Sequence, residues 1–149
     1  MSEDAQPSEP RTHDVLAAML ACDAFSKWLG VEVIAVRPGH CELRMRVRAE
    51  MLNGFGVSHG GIVYSLADSA MAFACNTGRH VTVAVDNQIV YPAAVHANDE
   101  LVVIAEEEAA TGRLGFYRAT VRNQHDIVVA LFRGTVYRTR RPHFNDTNS

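Results

Sequence analysis

Residues 53–68 read NGFGVSHGGIVYSLAD, and this stretch decides the fold of the chain. The pair Gly60 and Gly61 opens a run of small and apolar residues, which predicts a long helix that Gly78 can end. Because this helix is apolar on almost every side, we expect other elements to wrap around it. One carboxylate, Asp68, interrupts the run, and an ionised carboxylate is costly to bury. Since bare N–H groups at a helix start favour negative charge, the stretch indicates an oxyanion donor followed by a base.

The segments around this helix predict an antiparallel sheet. Apolar residues three or four apart between Val15 and Phe25 predict a short N-terminal amphipathic helix capped by Thr12. An antiparallel sheet curled around one long helix would bury that helix on most of its faces, so the predicted fold class is α+β. The outer face of the sheet then stays polar or is covered by a second subunit. Strands are predicted over residues 31–36, 41–48, 81 toward 91, 100–105, 115–123 and 127–137.

The length and the charge limit the organisation and the partners. A chain of 149 residues predicts a single domain, assigned to residues 13–141, between a flexible N-terminal arm at 1–12 and a flexible C-terminal tail at 142–149. The arm lacks the pattern of a secretory signal peptide. A formal charge of −3 gives no footprint for nucleic acid. No apolar run reaches the roughly 18 residues of a membrane span. We therefore expect neither nucleic acid nor a membrane as a partner.

The cysteines and histidines favour a reduced protein without a metal. Cys22, Cys41 and Cys75 are odd in number and far apart, which argues against a disulfide framework and against a zinc site. No pair of histidines has the spacing of metal ligands. We therefore expect free thiols, no metal and a cytoplasmic location.

The segment SHGGIVYSLAD at residues 58–68 resembles the signature of the PaaI-type acyl-CoA thioesterases of phenylacetate degradation, which have the hotdog fold. Further matches are AFACN at residues 72–76 and VALFRG at residues 129–134. The resemblance spans roughly Phe25 to Arg138, so it implies one hotdog domain with a long central helix. It also implies hydrolysis of aromatic thioesters of the phenylacetyl-CoA or hydroxyphenylacetyl-CoA type. No cofactor is implied, because coenzyme A is part of the substrate.

The resemblance also implies roles for single residues. The backbone N–H of Gly60 would bind the thioester carbonyl, and Asp68 would be the catalytic carboxylate. Asn53 and His59 match positions that shape the carbonyl and water site. The family usually assembles as tetramers built from dimers, with active sites at the dimer interface.

The spacing of Gly60 and Asp68 supports a shared site independently. Eight residues of helix separate them by about 12 Å along the axis, and an aspartate side chain bridges only about 2–3 Å of this. A reacting carbon must lie within about 3.5 Å of both groups. Two antiparallel helices related by a two-fold axis meet this requirement, whereas one regular helix does not. We therefore expect at least a homodimer.

Several of these residues have a structural alternative. Asp68 could instead be a structural acid, either paired with an arginine or capping a loop of the partner. Asn53 could simply fix the turn. For His59 we favour support of the loop over direct proton transfer. Three residues are candidates for an acyl pocket, although core packing is the default interpretation for residues on a buried helix. These candidates are Gly61, Tyr64 and Phe73.

Two rival functions are open to the same fold. A hotdog dehydratase or hydratase would act on hydroxyacyl or enoyl thioesters, but the His-Gly-Gly loop at 59–61 argues against it. A non-catalytic acyl-CoA-binding module would normally need an output domain, and the chain shows none. We therefore favour a thioester hydrolase.

Overall fold

The computed structural model describes residues 10–145. These residues form three α-helices, a short 3-10 turn at Ala49–Met51 and six strands. The helices are α1 (Thr12–Cys22), α2 (Ala24–Leu29) and α3 (Gly60–Cys75). The strands are β1 (Glu32–Arg37), β2 (His40–Arg46), β3 (His80–Val90), β4 (Glu100–Thr111), β5 (Leu114–Arg122) and β6 (Val128–Pro142).

The six strands form one antiparallel sheet around α3. Their order is β1-β2-β4-β5-β6-β3, so β1 and β3 are the edge strands. Helix α3 contacts all six strands, which explains why it is apolar on most sides. This arrangement confirms the predicted α+β class with a central helix. The helix residues buried in the core are Val63, Leu66, Ala67, Ala70, Met71, Phe73 and Ala74.

The sheet follows the alternation expected of a half-buried strand. In β2, Cys41, Leu43 and Met45 are buried, and the arginines between and after them point outward. Burial of one face on α3 fixes this register, because a slip of one residue would turn the arginines into the core.

The N-terminal helix is two helices rather than one. Asp23 breaks the predicted run, and its Oδ1 accepts a hydrogen bond from the Ser26 N–H at 2.9 Å, which caps α2. The prediction that Thr12 caps the first helix is wrong. Thr12 is the first residue of α1, and its hydroxyl lies 3.5 Å from the Thr77 carbonyl oxygen. A strong capping residue inside an apolar run therefore ended one helix and started the next.

Helix α3 ends at Cys75, three residues before the predicted end at Gly78. The buried side chain of Asn76 ends it. Asn76 Nδ2 donates to the carbonyls of Ala72 and Thr82 at 2.8 and 2.9 Å, and Asn76 Oδ1 accepts from Thr82 N at 2.8 Å. These bonds also tie the end of α3 to the start of β3, so the helix and the edge strand are fixed relative to each other.

Strand β4 runs to Thr111, six residues beyond its predicted end at residue 105. The extension contains an acidic run that composition alone would assign to a loop. Arginines on β5 and on β6, the strand beyond it, balance this charge, because Arg118 lies 3.0 Å from Glu106 and Arg133 lies 3.6 Å from Glu108. Cross-strand pairs of opposite charge favour the sheet.

The ordered elements reach one residue beyond each limit of the predicted domain, since α1 begins at Thr12 and β6 ends at Pro142. Residues 1–9 and 146–149 lie outside the described residues, so flexibility of the predicted arm and tail stays a prediction. Between residues 10 and 145, no helix combines the length and hydropathy needed to cross a membrane.

Candidate active site

The loop before α3 is held by Asn53. Its Oδ1 accepts from Phe55 N at 2.9 Å, and its backbone N–H donates to the Val57 carbonyl at 2.8 Å. The side chain therefore closes an Asx-type turn within its own loop. In this chain Asn53 shapes the approach to the helix, which fits the structural alternative as well as a role beside the carbonyl site.

His59 is the N-cap of α3. Its Nδ1 accepts a hydrogen bond from the Gly61 N–H at 2.9 Å, so Nδ1 is the unprotonated ring nitrogen. A Cβ at position 61 would lie 3.0 Å from that nitrogen, which explains the second glycine. The geometry supports the interpretation that His59 and Gly61 build the helix start, and neither residue contacts Asp68.

Gly60 presents a free donor at the helix start. Among residues 10–145, no acceptor pairs with its N–H, while its carbonyl accepts from the Tyr91 hydroxyl at 2.8 Å. A Cβ at position 60 would lie 3.2 Å from that hydroxyl. The 16-residue helix adds its dipole at this end. The Gly60 N–H therefore suits a carbonyl oxygen that gains negative charge.

Asp68 lies two turns along the same helix and is half-buried. Its Oδ1 accepts from Asn87 Nδ2 at 3.0 Å. Burial raises the pKa of Asp68 above its usual range, and the hydrogen bond from Asn87 opposes that rise. Neither cause is a neighbouring cation, so among residues 10–145 no arginine forms the pair of the structural alternative. Such a carboxyl group is suited to accept a proton or to attack a carbonyl carbon.

Tyr64 lies beside Asp68, whereas Phe73 does not. The Tyr64 hydroxyl accepts from Asn87 Nδ2 at 2.9 Å, and its ring packs edge-on against Phe132 with centroids 5.7 Å apart. Phe73 is 2% exposed and packs in the core. Phe73 does not line the cavity beside Asp68 that is described next, so its place in an acyl pocket stays a prediction.

Asp68 lines an open cavity of about 410 Å³ between α3 and the edge strand β3. Its other walls are mostly apolar, and Met19 of α1 closes one side. A carboxyl group in an otherwise apolar cavity is the usual composition of a small-molecule site. The residues that form the walls besides Asp68 and Met19 are Met71, Ala72, Cys75, Asn76, Val81, Thr82, Val83, Ala84, Val136 and His143.

Sequence reasoning missed Asn87 and Tyr91, which contact Asp68 and Gly60 respectively. Both lie on or just after β3, at least 19 residues from their partners. The available signal was the polar run at 86–88 in a strand that is mostly apolar on either side of it. Such a signal can indicate an amide that faces inward, but it does not identify the residue that the amide contacts.

The two halves of the site are separated within one chain. Helix α3 is continuous from Gly60 to Cys75, so Gly60 and Asp68 are about 12 Å apart along its axis. Within one chain, the free Gly60 N–H and the Asp68 carboxyl group therefore cannot contact the same reacting carbon.

Comparison with known proteins decides the family. Residues 55–130 match the model of the Thioesterase superfamily. The chain belongs to the Thioesterase superfamily. Over 121 residues it is 38% identical to the acyl-coenzyme A thioesterase PaaI of Escherichia coli. This alignment covers 81% of this chain and 86% of that protein. Over 116 residues it is 34% identical to a putative esterase of Archaeoglobus fulgidus, covering 78% and 75% of the two chains.

The solved structure of the E. coli PaaI protein superimposes with a TM-score of 0.85 at 35% identity, covering 88% of this chain and 95% of that one. The predicted resemblance to PaaI-type acyl-CoA thioesterases and the predicted hotdog fold are therefore confirmed. As a member of the Thioesterase superfamily, the chain is a thioester hydrolase.

Proposed function

We propose that this enzyme hydrolyses aromatic acyl-CoA thioesters, of the phenylacetyl-CoA or hydroxyphenylacetyl-CoA type, to the free acid and coenzyme A. One observation carries the proposal: a free Gly60 N–H and a half-buried Asp68 lie on the same helix, eight residues apart. The aromatic acyl group is supported by the apolar cavity beside Asp68. It is also supported by the similarity to a PaaI protein from a phenylacetic acid degradation operon.

In the proposed reaction, the thioester carbonyl oxygen accepts a hydrogen bond from the Gly60 N–H. As a nucleophile adds to the carbonyl carbon, negative charge develops on this oxygen at the positive end of α3. A preorganised donor of this kind typically contributes about 3–4 kcal/mol. Gly60 therefore lowers the barrier without taking up or giving up a proton.

Asp68 supplies the nucleophile in one of two ways. As a general base it removes a proton from water while the water oxygen bonds to the carbonyl carbon. As a nucleophile it bonds to that carbon directly and gives a mixed anhydride, which water then hydrolyses. In both cases the C–S bond breaks and coenzyme A leaves as a thiol after gaining a proton. The route uses no metal and no cofactor, and coenzyme A enters as part of the substrate.

The active unit is a homodimer in which Gly60 of one protomer faces Asp68 of its partner. Strand β3 is an edge strand of 11 residues, and Val83, Val85 and Val90 on it are all at least 44% exposed. A long apolar edge strand is a template for pairing with another chain. Pairing of two β3 strands about a two-fold axis would make the adjacent α3 helices antiparallel, which is the arrangement that the 12 Å separation requires.

Two such dimers would form the tetramer expected from the resemblance. The exposed side chains of Ile104 and Leu131 on the sheet supply apolar area for the second contact. A cytoplasmic location remains part of the proposal and is supported by the three free thiols. Neither nucleic acid nor a membrane is proposed as a partner.

The decisive experiment measures release of free thiol from phenylacetyl-CoA. Asp68→Asn should lower the rate by at least about 10²- to 10⁴-fold, the usual worth of a general base, while the assembly stays intact. Asp14→Asn on the exposed side of α1 is the matched control and should keep the wild-type rate. Wild-type turnover by Asp68→Asn would refute the assignment.

The same assay separates the rival functions and tests the substrate class. Tight binding without thiol release would indicate a binding module, and gain or loss of water without thiol release would indicate a dehydratase. A panel of aromatic and aliphatic acyl-CoA substrates tests the acyl group. We expect higher kcat/KM for the aromatic members.

A further inference from the structure

The side-chain amide of Asn87 joins two side chains of α3. Asn87 Nδ2 lies 3.0 Å from Asp68 Oδ1 and 2.9 Å from the Tyr64 hydroxyl oxygen. Tyr64 and Asp68 are four residues apart, so they lie on the same face of the helix. One amide therefore holds both groups from the neighbouring strand.

The fold aims this amide at the helix by two devices. The pairing of β3 with β6 shifts register between Ala84 and Asp86, just before Asn87. Such β-bulges redirect side chains and are common next to active sites. Opposite Asn87 on β6 stands Gly134, where a Cβ would lie 2.8 Å from Asn87 Oδ1. A glycine at that position leaves room for the amide.

The orientation of the amide is set by its donors. Asn87 Oδ1 is buried without a hydrogen-bond partner among the described residues, which costs free energy. The reversed amide would place this oxygen against the carboxylate of Asp68, where two acceptors repel. An unsatisfied buried acceptor that persists in this way calls for a functional reason.

We propose that Asn87 is a positioning residue that occupies Oδ1 of Asp68 and leaves Oδ2 as the oxygen that acts on water or on the thioester carbon. This inference rests on the proposed function of Asp68. It adds a third residue to the site, and it specifies which carboxylate oxygen takes part. The Tyr64 hydroxyl, as the second partner of Nδ2, limits rotation of the amide.

Asn87 is also expected to set the pH dependence, because its N–H favours the ionised carboxylate. The titratable groups near Asp68 are Tyr64, whose hydroxyl shares Asn87 Nδ2 with it, and Cys75 and His143, which line the same cavity. Asp86 precedes Asn87 in β3. The pKa of the Cys75 thiol is raised to about 12 by burial, so this thiol is neutral at pH 7. Burial lowers the pKa of His143 below its usual range, so its ring is also neutral at pH 7. Asp86 is exposed to solvent, which screens its charge.

The test compares Asn87→Leu with Thr111→Leu. Leucine matches asparagine in size but donates no hydrogen bond, and Thr111 is exposed at the end of β4, outside the proposed dimer strand. We expect Asn87→Leu to lower kcat about 10- to 100-fold, the worth of a hydrogen bond to a charged group, with KM little changed. Without the donor, the effect of burial on the pKa of Asp68 is no longer opposed, so this pKa rises. The acidic limb of the kcat/KM profile therefore moves to higher pH. Thr111→Leu should leave the rate and the profile unchanged.

Asn87→Asp provides a second variant of the same size. It replaces the donor with a carboxylate, so the acidic limb should move further toward high pH than in Asn87→Leu. The displacement should persist in a His143→Gln background, which removes the one nearby histidine.

Thermal unfolding of every variant separates positioning from folding. A lower Tm with an unchanged acidic limb and unchanged kcat in the folded fraction would overturn the proposal and leave Asn87 a structural residue. Failure of the proposed function looks different, since Asp68→Asn would then hydrolyse the thioester at the wild-type rate.

Discussion

At the scale of single residues, Gly134 sets how closely β6 approaches α3. A Cβ at this position would clash with Met71 Sδ as well as crowd Asn87 Oδ1. Met71 is buried in the core and Asn87 is held by its two hydrogen bonds, so neither can move away freely. The close approach of the sheet to the helix at this site therefore requires a residue without a side chain at position 134.

We expect Gly134→Ala to lower the free energy of unfolding by about 1–3 kcal/mol, as overpacking of a core typically does. The control is Gly78→Ala, where a Cβ meets no atom within 4 Å. Denaturation in urea measures both variants. Equal midpoints for the two variants would contradict the argument.

At the scale of an element, the start of α3 depends on His59 as its cap. Asparagine is also a good N-cap, whereas alanine is poor, so the two replacements separate support from proton transfer. His59→Ala should lower the free energy of unfolding by about 0.5–2 kcal/mol, and His59→Asn should restore most of that loss. The measurement is urea denaturation together with thiol release. A stable but inactive His59→Asn variant would show that the imidazole itself takes part in the reaction.

The elements also show how far the sequence predicts this molecule. The alternation in β2 and the apolar run after Gly60 were sufficient to predict a sheet, a long helix and the packing of the sheet around that helix. The break between α1 and α2 was missed because Asp23 competes locally for a helix cap inside an apolar pattern.

The site was predictable only where its residues are close in sequence. Gly60 and Asp68 share a helix, so their separation follows from helix geometry. Asn87 and Tyr91 are brought to them by strand pairing and a bulge, which have no local signature in the sequence. Long-range contacts of this kind depend on register, and one chain gives no direct measure of it.

At the scale of the whole molecule, the edge strand β3 should hold the dimer together. A lysine on an exposed edge strand opposes pairing with another chain. We expect Val85→Lys to remain folded but to become monomeric. Its rate of thiol release should fall in proportion to the loss of dimer. Light scattering after size exclusion measures the mass. The control is Ile127→Lys, an exposed apolar position outside β3, and a dimeric, active Val85→Lys would refute this interface.

Mixing two inactive variants tests the shared site directly. Asp68→Asn lacks the carboxylate, and Gly60→Pro lacks the N–H at a helix position where proline is tolerated. A mixed dimer has one site with both groups intact and one site with neither. After random exchange of subunits in equal amounts, about a quarter of the wild-type activity should return. No recovery despite exchange, followed by mass spectrometry, would show that each chain uses its own two groups.

The unbroken α3 helix has a consequence for how the rate depends on the amount of enzyme. Because a straight helix keeps its own donor and carboxylate about 12 Å apart, we expect a lone chain to carry two incomplete halves of the proposed site and to have no activity. Once the protein is diluted below the dissociation constant of the dimer, the rate falls with the square of the protein concentration. The specific activity then depends on the protein concentration itself.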